Sequence, residues 1–241
     1  MGEELKRKKP HIAVIIPAFN EENSVGNVVR DIPKDWVSEI IVANNNSNDL
    51  TPINAKKAGA IVVDEPRQGY GYACLKGMEY LVKHNIQPDI VVFLDADYSD
   101  YPEQLIDLVQ PIINEDVDLV IGSRALGKKE KHSMTPQQIF GNWLATFLIR
   151  LIYKVEFTDL GPFRAIKYDS LLRMKMEDKT YGWTVEMQVK AAKLKMKCTE
   201  LPVDYRVRIG KSKVSGTIKG TIMAGYKIIT TIFIYALKKL D

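Results

Sequence analysis

Two aspartates separated by one residue, Asp95 and Asp97, follow the apolar run at residues 90–94. Alternate side chains of an extended segment point the same way, so both carboxylates are expected to face one ligand. Hard oxygen ligands suit Mg²⁺ or Mn²⁺, and such an ion commonly bridges substrate phosphates. Ala96 leaves room for that ligand. Alternatively, Asp97 starts a turn or caps a helix that begins near Pro102.

The elements that must position this pair are short strands alternating with helices. Apolar runs occur at residues 12–16, 39–43, 60–63, 90–94 and 119–121, with helical patterns at 22–31, 50–58, 70–84 and 102–113 between them. The runs are continuously apolar, as is typical of strands buried on both faces. The pattern predicts an α/β fold with a mostly parallel sheet flanked by helices. Asp95 and Asp97 then lie at the carboxyl end of a strand, where such sheets bind ligands.

Polar clusters follow the first two predicted strands, at residues 17–22 and 44–49. Some of these side chains are expected to cap the helices that follow. Three polar clusters on one edge of the sheet also predict a crevice that holds a base, a ribose and a metal-bound diphosphate. After residue 124 the pattern predicts two long helices, a turn at 158–164 and a late strand near 199–205.

Composition limits the class of protein. The 241 residues are 46% hydrophobic and 27% charged, enough for a full core, and the net charge of +4 is too small to indicate nucleic acid. Basic residues are concentrated between residues 190 and 219, which predicts an anionic partner there, either a phosphate or a membrane surface. The two cysteines are interpreted as reduced core residues of a cytosolic protein.

Two helical segments are unusually apolar. Residues 139–152 carry a broad apolar stripe, for which a core-facing helix is the first interpretation and a helix in a membrane interface the alternative. Residues 220–237 contain a single charge, Lys227, and then an uncharged run at 228–237, well short of the ~20 residues that span a membrane. This second segment is predicted to be an amphipathic helix that binds a membrane surface, a membrane partner or a second copy.

Four motifs, in this order and spacing, resemble glycosyltransferase family 2, and in particular the enzymes that make dolichyl- or polyprenyl-phosphate sugars. They are residues 16–22, Asp95-Ala96-Asp97, Gly122-Ser123-Arg124 and Gly161-Pro162-Phe163-Arg164. The similarity extends over residues 12–219. It implies the Rossmann-like GT-A fold, a nucleotide-diphosphate sugar donor, Mg²⁺ or Mn²⁺, inversion at the anomeric carbon, and a hexosyltransferase. The chain then divides into a flexible N-terminus at 1–10, a GT-A domain at 11–215 and the C-terminal amphipathic helix at 216–241.

The resemblance also implies roles for individual residues on the donor side. Asp95 and Asp97 would hold the metal, and the donor would be bound by Pro17, Ala18, Asn20, Glu21, Asn44, Arg67, Gly69, Asp95, Ala96 and Asp97. The family often has an aspartate where this chain has Asn44. Because an amide can accept or donate, the base stays open between UDP and GDP, with UDP the first expectation. Ser99 stands where the related mannose enzymes have glutamine, so Ser99, Asp100 or a water would complete the metal shell.

On the acceptor side, the resemblance implies a polyprenyl phosphate at the cytosolic membrane face. The residues expected to bind it are Arg124, Arg164, Arg206, Arg208, Lys211, Ser212 and Lys213. A phosphate monoester is already anionic at neutral pH and needs no strong general base, whereas a hydroxyl acceptor does. Arg124 would face the reaction centre, and Asp159 and Glu186 are the two candidate bases. Glu186 has the alternative of complementing a helix dipole.

Three rival functions remain at this point. The same fold could use a soluble phosphorylated or hydroxyl acceptor. A nucleotidyltransferase would share the metal-binding sheet edge, but it would be expected to have a Gly-rich, Arg- or Lys-bearing loop after the first strand, where this chain has Pro17 to Glu22. A non-enzymatic scaffold gives no reason for the metal pair, the arginine motifs and the basic loop to occur together.

Overall fold

A seven-stranded sheet organises the chain. The computed structural model describes residues 9–210, 212 and 218–239. The strands are β1 (Ile12–Ala18), β2 (Glu39–Asn44), β3 (Ile61–Asp64), β4 (Ile90–Phe93), β5 (Leu119–Ser123), β6 (Arg164–Lys167) and β7 (Cys198–Pro202). Their order across the sheet is β3-β2-β1-β4-β6-β5-β7. Every neighbouring pair is parallel except the two that β6 makes with β4 and β5.

Helices cover both faces of this sheet. They are α1 (Val25–Asp31), α2 (Thr51–Lys57), α3 (Tyr70–Lys83), α4 (Leu105–Glu115), α5 (Pro136–Tyr153), α6 (Tyr168–Met174), α7 (Trp183–Lys193) and α8 (Ile218–Leu237), with a 3₁₀ turn at Pro102–Gln104. Alternate residues of β1 enter opposite cores: Ile12, Val14 and Ile16 pack with α1, α2 and α4, whereas Ala13 and Ile15 pack with the other helices. The predicted mostly parallel α/β sheet, buried on both faces, is confirmed.

Strand β6 differs from the prediction, which placed residues 158–164 in a turn. Arg164 instead begins a strand that pairs antiparallel with β4, with Ala165 opposite Val92. The segment has only two apolar residues between two charged ones, too short a run to give a strand signal. Its position between β4 and β5 explains why Arg164 is buried.

Helix α5 does not face the core as first interpreted. Its inward residues are Ala145, Thr146 and Ile149, whereas its large apolar side chains are exposed: Ile139, Phe140, Trp143, Phe147 and Leu151. The three aromatic rings form a row with neighbouring centroids 5.8 Å apart. We call these five exposed residues the α5 stripe. The predicted helix is confirmed, but its contact with the domain is made by Ala145, Thr146 and Ile149, with Leu148 and Ile152 partly buried against the core.

Helix α8 lies against α5 and α7. Ile232 and Tyr235 are buried there, the Tyr153 hydroxyl donates to the Ile232 carbonyl at 2.5 Å, and Lys227 pairs with Asp178 at 2.8 Å. By length and composition alone, Gly220–Leu237 is long and apolar enough to cross a membrane. The predicted boundary at residue 216 and residues 1–8 of the predicted flexible N-terminus at 1–10 lie outside the described residues, so these divisions stay predictions.

Candidate active site

A crevice of about 480 Å³ opens at the carboxyl ends of β1, β2 and β4. Nine of the predicted site residues line it: Pro17, Ala18, Glu21, Gly69, Asp95, Ala96, Asp97, Arg208 and Ser212. Seven other residues also line it: Phe19, Asn45 and Gln68, which lie beside predicted donor residues, and Tyr70, Ala73, Thr180 and Tyr181, which the sequence analysis missed. Residues from both ends of the chain therefore meet in one cavity, as expected for an α/β sheet edge.

The aspartate pair is held by hydrogen bonds from neighbouring side chains. The Tyr70 hydroxyl donates to Oδ1 of Asp95 at 2.9 Å, and Oδ1 of Asp97 accepts from the backbone N and the hydroxyl of Ser99, at 2.9 and 2.5 Å. Removal from bulk water, together with the adjacent Asp97 carboxylate, raises the pKa of Asp95 to about 7. The pair is thus preorganised, and its concentrated negative charge favours binding of a cation.

This site suits a divalent cation that is coordinated both by protein carboxylates and by the phosphates of the substrate. Both carboxyl oxygens of Asp100 are buried and have no hydrogen-bond partner among the residues the structure describes. Burial and the charges of Asp95 and Asp97 raise the pKa of Asp100 well above its usual range. Within the described ranges, no group of three or more His, Cys, Asp or Glu side chains could hold a metal alone. Two carboxylates suit an ion that completes its shell with diphosphate oxygens and water.

Arg208 supplies positive charge to this cluster. Its Nη1 lies 3.0 Å from Oδ2 of Asp97, and its Nη2 lies 2.8 Å from Oε1 of Glu21. Its Nε is buried without a partner in the described part of the chain. Arg208 therefore joins the loop after β1 to the loop after β4 from the opposite side of the crevice.

The backbone on both sides of Arg208 runs along residues 97–100, the loop that carries Asp97 (the metal loop). The N–H of Arg206 donates to the Ser99 carbonyl at 2.9 Å, that of Ile209 donates to the Asp97 carbonyl at 3.0 Å, and Tyr205 pairs antiparallel with Asp100. These contacts form a short ladder between residues 97–100 and 205–209. The predicted acceptor loop and the metal loop are therefore connected directly.

Arg206 is not available to an acceptor, contrary to the prediction. Its guanidinium donates to the carbonyls of Tyr98 (2.6 Å) and Asp100 (3.1 Å) and stacks on the rings of Tyr98 and Tyr101. Arg206 thus fastens the ladder. Lys211 and Lys213 lie outside the described residues, so their roles stay predictions.

Arg124 and Asp159 form a bidentate ion pair. Nε and Nη2 of Arg124 donate to Oδ2 and Oδ1 of Asp159, both at 2.7 Å, and the backbone N–H of Arg124 adds a bond of 2.8 Å. Asp159 is 1% exposed. Because Arg124 engages both of its oxygens, Asp159 is poorly placed to take a proton from an acceptor. It orients Arg124 instead, whose charge contributes to the field at Asp95.

Arg164 and Glu186 lie in the core, away from the crevice, so the structure does not support their predicted roles. Arg164 is fully buried and donates to the carbonyls of Leu160, Gly161 and Thr184, and burial lowers its pKa to about 10. Glu186 is also fully buried, paired with Lys190 at 2.7 Å and accepting from the Tyr235 hydroxyl at 2.7 Å. Both residues brace the elements behind the site.

Three predicted donor residues support the crevice walls without lining the cavity. Asn20, at φ 52°, accepts from the Asn48 N–H and so joins the first two polar loops. Asn44 donates to Asp64, and Arg67 makes a bidentate pair with Glu65. Alternation along β2 turns the next residue, Asn45, into the cavity, where it accepts from the Gly69 N–H at 2.7 Å.

Tyr70 directly follows Arg67-Gln68-Gly69, the segment that contains the predicted donor residues Arg67 and Gly69. Its position next to this segment is the sequence signal by which Tyr70 could have been predicted. The segment can pack close to the loop at residues 178–180 because Gly69 has no side chain. At its φ of +153°, a Cβ would lie 2.2 Å from the Lys179 carbonyl oxygen. This close approach is what allows Thr180 and Tyr181 to line the crevice.

Comparison with known proteins agrees with this geometry. The family model described as "Glycosyl transferase family 2" matches residues 13–174. An uncharacterised glycosyltransferase of Mycobacterium bovis is 33% identical over 88% of this chain and 94% of its own. A dolichyl-phosphate hexose transferase of Haloferax volcanii is 31% identical, over 84% and 86%. An undecaprenyl-phosphate mannosyltransferase of Micrococcus luteus is 29% identical, over 87% and 89%.

Solved structures share the fold. Glucosyl-3-phosphoglycerate synthase from Mycobacterium tuberculosis, in complex with Mn²⁺, UDP-glucose and phosphoglyceric acid, superposes with a TM-score of 0.73 at 21% identity, over 94% of this chain and 80% of its own. The sheet order and the position of the crevice therefore belong to the GT-A fold. The chain belongs to glycosyltransferase family 2 and is a glycosyltransferase.

Proposed function

We propose that the enzyme transfers a hexose from a UDP- or GDP-sugar to a polyprenyl phosphate, with inversion at the anomeric carbon. The observation that carries this proposal is the state of the two candidate bases. Asp159 is occupied by Arg124 and Glu186 by Lys190, each in a buried ion pair. A hydroxyl acceptor needs a carboxylate that is free to take its proton, and neither of these two is free, whereas an anionic phosphate needs only positioning.

The residues of the crevice would have different roles in such a transfer. Asp95 and Asp97 would hold Mg²⁺ or Mn²⁺, and the bound ion would stabilise the charge of the departing nucleoside diphosphate. Pro17, Ala18 and Asn45 line the part of the cavity next to β1 and β2, which suits the nucleoside. Arg124, held by Asp159, presents a planar cation toward the same end of the sheet as the aspartates and suits a phosphate oxygen.

Several relatives support this acceptor and cofactor. The relative from Micrococcus luteus is an undecaprenyl-phosphate mannosyltransferase, and the one from Haloferax volcanii acts with dolichyl phosphate and a hexose, as their names state. The structural neighbour was solved with Mn²⁺ and UDP-glucose, and its phosphoglyceric acid is a soluble phosphorylated ligand. The phosphate is therefore the feature these acceptors share, and the lipid part must be tested separately.

The test is transfer of radiolabelled sugar from a panel of UDP- and GDP-sugars, with Mg²⁺, Mn²⁺ or EDTA, to undecaprenyl phosphate or dolichyl phosphate. We expect metal-dependent label in the organic phase from one donor. Metal-dependent transfer to phosphoglyceric acid, with no lipid product, would assign a soluble acceptor. No turnover of any donor would contradict the proposal.

We also propose that the enzyme works at the surface of an anionic membrane, on the cytosolic side. The α5 stripe is continued by apolar residues that α8 exposes: Ile222, Met223, Tyr226, Phe233, Ile234 and Leu237. The contact between Tyr153 and Ile232 holds the carboxyl end of α5 against α8. Contiguous exposed apolar residues of this extent are typical of an interaction surface.

Charge favours a lipid surface over a second copy of the chain as the partner. Three exposed lysines, Lys128, Lys129 and Lys131, lie in the loop that leads into α5, where the one acid, Glu130, is engaged by the Val207 N–H. In this loop a second copy of the chain offers the same lysines and no free acid to complement them. Anionic headgroups complement them, and each such lysine contributes about 1 kcal/mol near a charged bilayer.

Trp143→Glu is expected to release the enzyme from vesicles containing phosphatidylglycerol, lowering the partition coefficient roughly tenfold or more, because it removes an aromatic anchor and adds a repelled charge. Cosedimentation with vesicles measures this. Val82→Glu is the matched control, since Val82 is 59% and Trp143 57% exposed but Val82 lies on α3. A wild-type dimer in light scattering that Trp143→Glu dissociates, without vesicle binding, would instead assign the face to self-association.

A further inference from the structure

Arg208 occupies the coordinating face of one of the two metal-binding aspartates. Oδ1 of Asp97 is taken by the backbone and hydroxyl of Ser99, and Oδ2 is taken by Nη1 of Arg208 at 3.0 Å. A divalent ion that binds through Oδ2 would share that oxygen with the guanidinium, and repulsion between the two cations opposes binding of both. Metal and Arg208 therefore compete for Asp97.

The second contact of Arg208 extends this competition to the donor pocket. Nη2 pairs with Glu21, which lines the crevice next to Pro17 and Ala18. The two carboxylates come from loops after β1 and β4, and the guanidinium spans the space between them. A diphosphate that enters the crevice brings negative charge toward the same carboxylates, so a cation is needed between them, and in the empty enzyme Arg208 occupies that place.

The contacts around Arg208 allow its side chain to leave while its backbone stays. The Ile209 N–H is fixed to the Asp97 carbonyl, and Arg206 is locked on Tyr98 and Tyr101. By contrast, the buried Nε of Arg208 has no hydrogen-bond partner among the described residues, so the closed arrangement leaves one donor unsatisfied. An unsatisfied buried donor makes that arrangement less stable and easier to open.

We propose that Arg208 is an internal cation that closes the metal site of the empty enzyme, and that binding of the metal and donor releases it to the acceptor phosphate. A freed guanidinium offers two parallel donors that match phosphate oxygens. The acceptor subsite is then completed only after the donor has bound, so the two substrates bind in a fixed order. The acceptor step rests on the proposed function, whereas the competition for Asp97 does not.

Titration of the full-length protein with Mn²⁺ alone, followed by the electron paramagnetic resonance signal of free Mn²⁺, tests the competition without any sugar or lipid. Arg208→Gln is expected to bind Mn²⁺ roughly tenfold more tightly than wild type, because the ion no longer has to break an ion pair. Arg208→Lys, which keeps the charge but can engage only one carboxylate well, is expected to fall between them. If Arg208→Gln is unstable, the Mn²⁺ affinity of Arg208→Lys tests the competition instead.

Arg30→Gln is the matched control, since it removes the same charge at an exposed position on α1, where the side chain pairs with Asn27 and contacts neither carboxylate. It should leave Mn²⁺ affinity within about twofold of wild type, as expected for a charge that is screened by solvent. Equal Mn²⁺ affinity in wild type and Arg208→Gln would overturn the proposal. So would an equal gain in Arg30→Gln, which would show a general effect of removing positive charge.

Calorimetric titration with farnesyl phosphate tests the order of binding. Wild type should bind this short polyprenyl phosphate at least tenfold more tightly in the presence of Mn²⁺ and UDP than in their absence, and Arg208→Gln should lose that gain. Binding of equal strength without Mn²⁺ and UDP would contradict the ordered release. If farnesyl phosphate does not bind in any state, the acceptor assignment fails and the Mn²⁺ titration still decides the competition.

Discussion

Asp97→Asn is expected to lower sugar transfer at least roughly a thousandfold, since a bound cation supplies several kcal/mol of transition-state stabilisation in such sites. The substitution keeps the size of the side chain and the bonds from Ser99 to Oδ1, so the loop after β4 should stay folded. It replaces the oxygen that faces Arg208 with an amide. Mn²⁺ binding should be lost together with transfer, and thermal stability should change little.

Asp107→Asn serves as the control for this substitution, because Asp107 is an exposed carboxylate on the first turn of α4. It should leave both transfer and Mn²⁺ binding unchanged. Transfer by Asp97→Asn at more than a tenth of the wild-type rate, with Mn²⁺ still bound, would remove Asp97 from the metal site and leave the crevice without its expected function.

Asp159→Asn is expected to reduce the free energy of unfolding by about 3 kcal/mol, because it leaves the Arg124 guanidinium without its buried counter-ion. Transfer should fall by roughly a hundredfold or more, since Arg124 then loses the bidentate contact that sets its orientation. Urea denaturation and initial rates measure the two effects. Adding Arg124→Gln should recover part of the stability and none of the activity.

The surface pair of Arg150 and Glu156 provides the comparison. Its atoms are 3.1 Å apart, but the side chains are 69% and 75% exposed, so Glu156→Gln should change stability by no more than about 0.5 kcal/mol. If Asp159→Asn kept full stability and its residual transfer lost the acidic limb of the pH profile, which reports titration of a general base, Asp159 would have to be the base after all, and an acceptor hydroxyl would be favoured.

Local sequence patterns predicted the sheet well. The continuous apolar runs locate β1, β2, β4 and β5 to within two residues, because strands buried on both faces leave no polar positions. The aspartate pair was also predictable, since its position depends only on the end of β4. Strand β6 was not, because its four residues are identified by their neighbours in space and not by their own periodicity.

Long-range contacts account for the errors at the site. Arg208 and Glu21 are separated by 187 residues, and the pairing of Arg206 with Tyr98 spans 108. Motif matching assigned Arg164 and Arg206 to the acceptor and Glu186 to a base, but it could not indicate which of these charged groups are engaged within the protein. For α5, the same stripe fits a core or an interface, and only the position of Ala145 and Ile149 against the domain distinguishes them.

The ladder between residues 97–100 and 205–209 has a kinetic consequence. Because Arg206 and Ile209 donate to carbonyls of the segment that carries Asp97, a shift of the acceptor loop also shifts a metal ligand. The Michaelis constants of the two substrates therefore cannot be tuned independently by substitutions in this loop. Selection for a different acceptor would change donor affinity at the same time, and specificity for both substrates would have to evolve together.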